Sequence, residues 1–526
     1  MNFNSILWLT DSQKSRIDRK VIEDLNLKEV YQRLLLNDEI LFTLCMDLET
    51  IRYRQEIFSD FFDNEGLLKD LTEVLKAFYD LKPLYRSEQY KDSNLYRLID
   101  ILIVMEKSMI CLDEIRQILG YYSLNSEGLR QLLHRIEEYL KTAEYKKMKE
   151  DLKEIKHLFK GIRSATLSVS MSSAMRPVFA QVTSIDDYKH RYPKAFRKVS
   201  DVLKEDPIFL KQRLTSYVPV FRVGRLNYDL LEEIEFSLRK NKPLITRFVD
   251  TYEKVDLQPF IQLMNEITFY ESGFQLFMAM KKADLPFSKP EFIEKKQCFM
   301  HLEQLYNINL AIGKIEGSVQ EEIIKNDFVF DDSKSYYIIT GANRGGKTTF
   351  TQAIGQIQLL AQFGMYVPCE RARVGIVDKI VTVFPVMEAE NVDKGKFGRE
   401  CEMFVEGFHK ATAKTLFLMN EAFAGTSHLE SLNIATEGMK ALIYRNIPFI
   451  FNTHLHELVE EIRKSFQGEE EKRDEYCDKI ISLVTKMKDT ESSYIMEERE
   501  PLGKSYAIEI ARKYRITYED LLKSGV

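Results

Sequence analysis

The residues with the clearest chemistry are Gly341-Ala342-Asn343-Arg344-Gly345-Gly346-Lys347-Thr348, which read G-x-x-x-x-G-K-T and run into Thr349. In a loop of this kind, backbone N–H groups and the start of the following helix converge on one phosphate-sized anion. Gly341, Asn343, Gly345 and Gly346 belong to the cradle, and its glycines let the backbone approach closely. Lys347 is expected to reach the β- and γ-phosphates, with Thr348 and Thr349 beside it and the Thr348 hydroxyl on Mg²⁺. The chemistry expected is binding of a nucleoside triphosphate, ATP with Mg²⁺. The alternative is a chance glycine turn before a helix. The flanks decide against it: Tyr336-Tyr337-Ile338-Ile339-Thr340 is β-branched and aromatic, and Ile354, Ile357 and Leu360 repeat at helical spacing.

Two more groups could complete such a site. Thr415-Leu416-Phe417-Leu418-Met419 reads as a buried strand ending in Asn420-Glu421. In a P-loop ATPase a strand of this type carries the metal-and-water element. Its first position usually holds Asp; Asn420 can bond a metal-bound water but supplies no charge. Glu421 is expected to orient and deprotonate the attacking water. A further strand, Ile447 to Thr453, leads into His454-Leu455-His456-Glu457. That position puts His454 on the ligand edge of an open α/β sheet, within reach of a γ-phosphate or the attacking water. Zinc is the competing use, but these residues lack the H-E-x-x-H spacing that sets two histidines on one helical face.

The elements that must position these groups are legible in outline. At 526 residues the chain should hold about three or four domains. A composition that is 44% hydrophobic and 30% charged is that of an ordinary soluble protein and leans helical. Residues 1–85 read as short helices forming the N-terminal part of a core. Residues 86–310 read as a helical core and lever: Leu129, Leu132, Leu133, Ile136, Leu140, Met148, Leu152 and Ile155 hold one stripe, as in a single long arm. A β-hairpin is expected at about 164–185, and the nucleotide domain over 311–526. The fold class is an α/β P-loop NTPase domain preceded by a mostly α-helical region.

The net charge of −6 removes any global pull toward nucleic acid, so such contacts must be local. Residues 186–225 are locally basic, with Tyr188, Tyr192, Phe196, Tyr217 and Phe221 interleaved. This pattern suits a nucleic-acid groove, and equally an ordinary helix with snorkelling lysines. Six scattered cysteines read as reduced thiols, and no signal-peptide core or membrane-length apolar stretch is seen, so a cytoplasmic protein without membrane contact is expected.

Taken together, Gly341 to Thr349, Gly364-Met365-Tyr366-Val367-Pro368, Leu418 to Glu421, Gly425-Thr426-Ser427 and Thr453-His454-x-His456-Glu457-Leu458 resemble the ATPase domain of the MutS family. Gly503-Lys504-Ser505-Tyr506-Ala507-Ile508 is similar to the family's G-x-S-Y-G-I segment, and Asn326-Asp327 to its Asn-Asp pair. Arg54-Gln55 and the helices upstream resemble, more weakly, the core and lever regions. The resemblance implies a homodimeric ABC-type ATPase with composite ATP sites, whose levers close on DNA near the 164–185 hairpin. It further implies that Lys347 and Thr348 hold phosphates and Mg²⁺, Glu421 activates water and His454 senses the γ-phosphate. Thr426 and Ser427 would face the partner's nucleotide.

Three departures matter. Asn420 stands for the usual Asp. The segment normally S-x-F-x-x-E reads Gly395-Lys396-Phe397-Gly398-Arg399-Glu400, without its serine. The match begins at the core, so the resemblance implies a form similar to the shorter relatives, in which neither a mismatch-reading domain nor a nuclease-like extension is expected. The leading expectation is an ATP-hydrolysing clamp on DNA, branched or recombining rather than mismatched. The alternative is an ATP-dependent dimerisation switch with weak hydrolysis, acting on RNA, ribosome or protein.

Overall fold

The computed structural model describes residues 5–9, 12–33, 42–64, 66–79, 94–159, 164–171, 173, 177–186, 239–253, 258–341, 344–385, 396–467, 476–488 and 491–500. Asn343, Gly395, the stretch 187–225 and Gly503 to Ile508 lie outside them. Contacts divide the chain into two compact units: residues 1–5, 64–124 and 129–267, and residues 6–63, 125–128 and 268–526. Residues 6–63, read from the sequence as part of a helical core, thus group with the residues around the glycine loop. Among the described residues no helix is long and apolar enough to cross a membrane. All six cysteines are free thiols, and Cys45, Cys111, Cys298 and Cys369 are buried.

Among its described residues the first unit is helical, with one pair of strands. Leu67–Tyr79 buries Leu67, Leu68, Leu71 and Leu75 at the spacing of one helical face. Asn94–Tyr121 runs for 28 residues. The single long arm expected over 129–155 is instead two helices, Glu127–Lys141 and Ala143–Leu158. The break is at Thr142, whose backbone is extended and whose hydroxyl accepts the Tyr145 N–H, so it caps the second helix. An apolar stripe registers which face is buried; it does not register a cap inserted between two stretches in phase. The second of these helices is tied to Lys242–Tyr252 by the Tyr252 hydroxyl, which donates to Asp151 Oδ2 at 2.6 Å. Ser164–Met171 and Pro177–Asp186 pair antiparallel, spanning the stretch read as a hairpin.

The second unit is mixed α/β. Its main sheet has six strands in the order Ile380–Val383, Leu416–Asn420, Phe449–Asn452, Tyr336–Thr340, Ile480–Lys488, Glu491–Glu498. The first five run parallel and the last is an antiparallel edge. Parallel strands buried on both faces need continuous apolar sequence, which Leu416-Phe417-Leu418-Met419 and Phe449-Ile450-Phe451 supply at essentially zero exposure. Helices cover the sheet, among them Lys347–Gln362, Lys396–Lys410, His428–Tyr444 and Leu458–Ser465. A smaller four-stranded sheet is built from Glu291–Phe292, Arg371–Val374, Met300–Leu305 and Asn326–Phe330.

The N-terminal segment is bonded into this unit through polar side chains of the helix Lys347–Gln362. Gln352 donates to Asp24 O, Gln356 to Leu25 O and Gln362 to Cys45 O, at 2.8, 2.8 and 2.7 Å. Buried carbonyls need such donors, and a helix whose apolar face is interrupted by glutamine provides them. Arg54 is 1% exposed; its guanidinium donates to Leu7 O and Phe363 O and lies 4.0 Å over the Trp8 ring. Gly364, next in the chain, has φ +77°, and a Cβ there would come 2.6 Å from Arg54 Cβ. Only glycine satisfies both the turn and that approach.

Candidate functional site

Because the strands are parallel, their C-terminal ends share one edge of the sheet. The strand Tyr336–Thr340 delivers the glycine loop there, Leu416–Asn420 delivers Asn420 and Glu421, and Phe449–Asn452 delivers Asn452 and His454. This is the edge where open α/β sheets take ligands. A cavity of about 560 Å³ opens beside the loop. Its wall includes Arg344, Gly345, Gly346, Lys347, Thr348 and Glu421.

The loop turns into the helix at Gly346, which is left-handed at φ +83°. A side chain there would meet Tyr494 Cδ1 at 3.1 Å. Among the described residues no side chain caps this helix start, whereas Thr142, Asn307 and Ser427 each cap theirs. Helix N-termini leave backbone donors without intrahelical partners, and an anion satisfies them as well as a side chain does. Lys347 is 5% exposed and its Nζ donates to Gly341 O at 2.9 Å, folding the lysine back over the loop. Burial lowers its pKa from the ordinary lysine value, and the nearby Glu421 carboxylate partly opposes that shift. A buried cation held below its usual basicity is stabilised by an arriving anion.

Thr348 lines the cavity and its Oγ1 donates to Asn420 Oδ1 at 2.8 Å. Asn420 Oδ1 also accepts Asn452 Nδ2 at 3.1 Å, and Asn452 Oδ1 accepts the Thr351 hydroxyl at 2.9 Å. Glu421 adopts φ 49°, a left-handed conformation that a non-glycine residue enters at a cost of about 1–3 kcal/mol. Its N–H donates to Asn452 O at 2.8 Å, and its Oε1 stands 2.9 Å from His454 Nε2. Both of these side chains are partly exposed.

The described residues of the loop, the strand end at Asn420-Glu421 and His454 are therefore brought to one edge of the sheet. Gly341, Gly345, Gly346, Lys347, Thr348 and Thr349 form the loop and helix start, and Glu421 and His454 face each other across adjacent strand ends. Asn343 is outside the described residues. Thr426 and Ser427 have local partners, since both hydroxyls donate to the Glu430 carboxylate. Ser427 and Glu430 form a capping box that starts the helix His428–Tyr444. Glu400 is 1% exposed and its Oε2 accepts the Phe423 N–H at 2.9 Å. Asn326 Nδ2 donates to Tyr494 O at 3.1 Å, and its Oδ1 accepts the Met496 N–H at 2.7 Å, pinning the edge strand over the loop. Sequence reasoning missed Asn452 and Tyr494. The only trace of Asn452 was a polar residue at the end of an apolar strand, the same signal that pointed to Asn420. Among the described residues no group of three His, Cys, Asp or Glu side chains that could hold a metal ion is found.

A strand, glycine loop and helix set against a carboxylate on a parallel sheet define an α/β protein. Residues 337–519 match the family described as MutS domain V, and residues 46–207 match the MutS2 N-terminal domain. The chain is 24% identical over 505 residues to a DNA mismatch repair protein MutS of Thermosipho melanesiensis, covering 87% of this chain and 55% of that protein. A MutS of Fervidobacterium nodosum is 24% identical over 542 residues, covering 96% of this chain and 62% of the relative. A MutS of Chlorobium limicola is 40% identical over 144 residues, covering 27% of this chain and 16% of that protein. The resemblance to the MutS family is thus borne out, and it reaches well beyond the glycine loop. The chain spans about half the length of the first two of these curated relatives.

Proposed function

We propose that this chain is a P-loop ATPase of the MutS type, related to the ABC-type ATPases, that binds DNA as a dimeric clamp. ATP binding and hydrolysis would drive opening, closing or sliding on branched or recombining DNA, without mismatch reading. The observation that carries the catalytic half is the Glu421–His454 pair, 2.9 Å apart, in which Glu421 lines the same cavity as Lys347 and Thr348. The relatives' printed name, DNA mismatch repair protein, supports the DNA half.

In this reading Gly341, Asn343, Gly345, Gly346 and Thr349 surround the phosphates, and Lys347 neutralises the β- and γ-phosphate oxygens. Thr348 Oγ1 and Asn420 Oδ1 are hard oxygens of the type magnesium prefers, so they fit as its holders. When bound, that ion supplies charge neutralisation on the phosphates. Glu421 accepts a proton from the attacking water, and His454 holds the carboxylate in place and can meet the γ-phosphate. Thr426, Ser427 and the segment 395–400 would complete the partner subunit's site in a homodimer.

The neutral side chain at 420 favours a second reading, a dimerisation switch that binds ATP and hydrolyses it weakly, with RNA, ribosome or protein as partner. Steady-state ATP turnover of the full chain separates the two. It should be measured alone and with linear, mismatched and branched DNA, beside Glu421→Gln. Turnover stimulated most by branched DNA and lost in the variant is the expected result. Negligible turnover with ATP still bound would overturn the hydrolysing clamp and leave the switch.

A further inference from the structure

Thr351, Asn452, Asn420 and Thr348 form one hydrogen-bonded chain, with links of 2.9, 3.1 and 2.8 Å. It leaves the helix Lys347–Gln362 at Thr351, crosses the ends of two adjacent strands, and returns to the first turn of the same helix. Asn452 has no exposure and Asn420 is 8% exposed, and the strand register sets them opposite each other. The donors run one way. Because Thr351 donates to Asn452 Oδ1, Asn452 presents its Nδ2 to Asn420, and this turns the Asn420 oxygen toward the Thr348 hydroxyl. The result is a fixed oxygen beside the cradle that carries no formal charge.

A carboxylate in that position would do two things at once. It would attract a divalent cation and repel the polyanionic phosphates, so that nucleotide could enter well only with the cation. A carboxamide keeps the oxygen and drops the repulsion. We propose that this neutral chain makes nucleotide affinity here only weakly dependent on magnesium, so that the nucleotide is held with or without the ion. The inference rests on the nucleotide reading above. It separates occupancy of the site, which Lys347 and the loop provide, from hydrolysis, which the ion assists.

The test is titration of the full chain with a fluorescent, non-hydrolysable ATP analogue, in excess EDTA and in saturating MgCl₂, for the wild type and Asn420→Asp. An aspartate keeps both hydrogen bonds to the 420 oxygen, so the variant should fold, and a melting curve verifies that. The expected wild-type Kd in EDTA lies within about fivefold of that in magnesium, while N420D loses at least about tenfold in EDTA and regains it with magnesium. A wild-type loss of about a hundredfold in EDTA, or an N420D ratio equal to the wild-type one, would overturn the inference. The wild-type ratio decides the matter even if N420D does not fold. Tight binding only with magnesium would sink the inference and leave the nucleotide reading standing. Failure to bind under either condition would remove both.

Discussion

Glu421 Oε1 and His454 Nε2 lie 2.9 Å apart although the two residues follow the ends of different strands, 33 positions apart in the chain. The backbone holds this arrangement: Glu421 N–H donates to Asn452 O, two residues before His454. The main-chain segments that carry the carboxylate and the histidine are therefore tied together by a backbone hydrogen bond.

For that pair, His454→Ala should lower the rate of single-turnover ATP hydrolysis by about a hundredfold while nucleotide Kd moves less than about threefold. Parallel loss of binding and rate would instead make His454 a ground-state phosphate contact.

Lys347 is buried with a lowered pKa, so its charge costs the nucleotide-free fold some stability. The sign follows from proton counts: between the lowered folded value and the ordinary 10.5, the unfolded chain binds more protons, so stability rises with pH across that window. Lys347→Met should abolish nucleotide binding and keep the melting temperature within about 4 °C of wild type near neutral pH. Its urea-unfolding stability should lose the part of this rise that Lys347 contributes. A variant that unfolds outright would show that the Lys347–Gly341 bond matters more than the buried charge.

Gly364→Ala adds a Cβ 2.6 Å from Arg54 Cβ at a residue with φ +77°. Left-handed strain and overpacking together should cost about 2–4 kcal/mol, read as a lower urea midpoint at unchanged slope. An effect under about 0.5 kcal/mol would mean that Arg54 yields freely.

Gln356 accepts the Ile308 N–H through Oε1 at 3.1 Å and donates to Leu25 O through Nε2 at 2.8 Å, with no exposure. Gln356→Leu fits the volume but orphans both backbone groups. It should destabilise by about 2–4 kcal/mol and release the N-terminal segment to faster amide exchange. Unchanged exchange at Leu25 to Leu27 would show that packing alone holds that segment.

The local patterns carried much of the site. The glycine spacing, the apolar strands before the loop and before Asn420, and the helical repeat after Lys347 are short-range properties. They record backbone conformation and the face that is buried, which neighbours in sequence impose on each other. The break at Thr142 escaped because a capped junction can keep an apolar stripe in phase. Asn452 escaped because its meaning lies in partners 32 and 101 positions away.

By itself, the sequence determined the strand–loop–helix and the residue types that can meet a phosphate. Tertiary structure alone decided which of them meet: the Glu421–His454 pair, the Thr351-to-Thr348 chain, and the grouping of residues 6–63 with the sheet through Gln352, Gln356 and Gln362. The physical reason is that a periodic pattern constrains a residue's face and backbone angles. A hydrogen bond reaching 331 positions depends on where the folded chain returns.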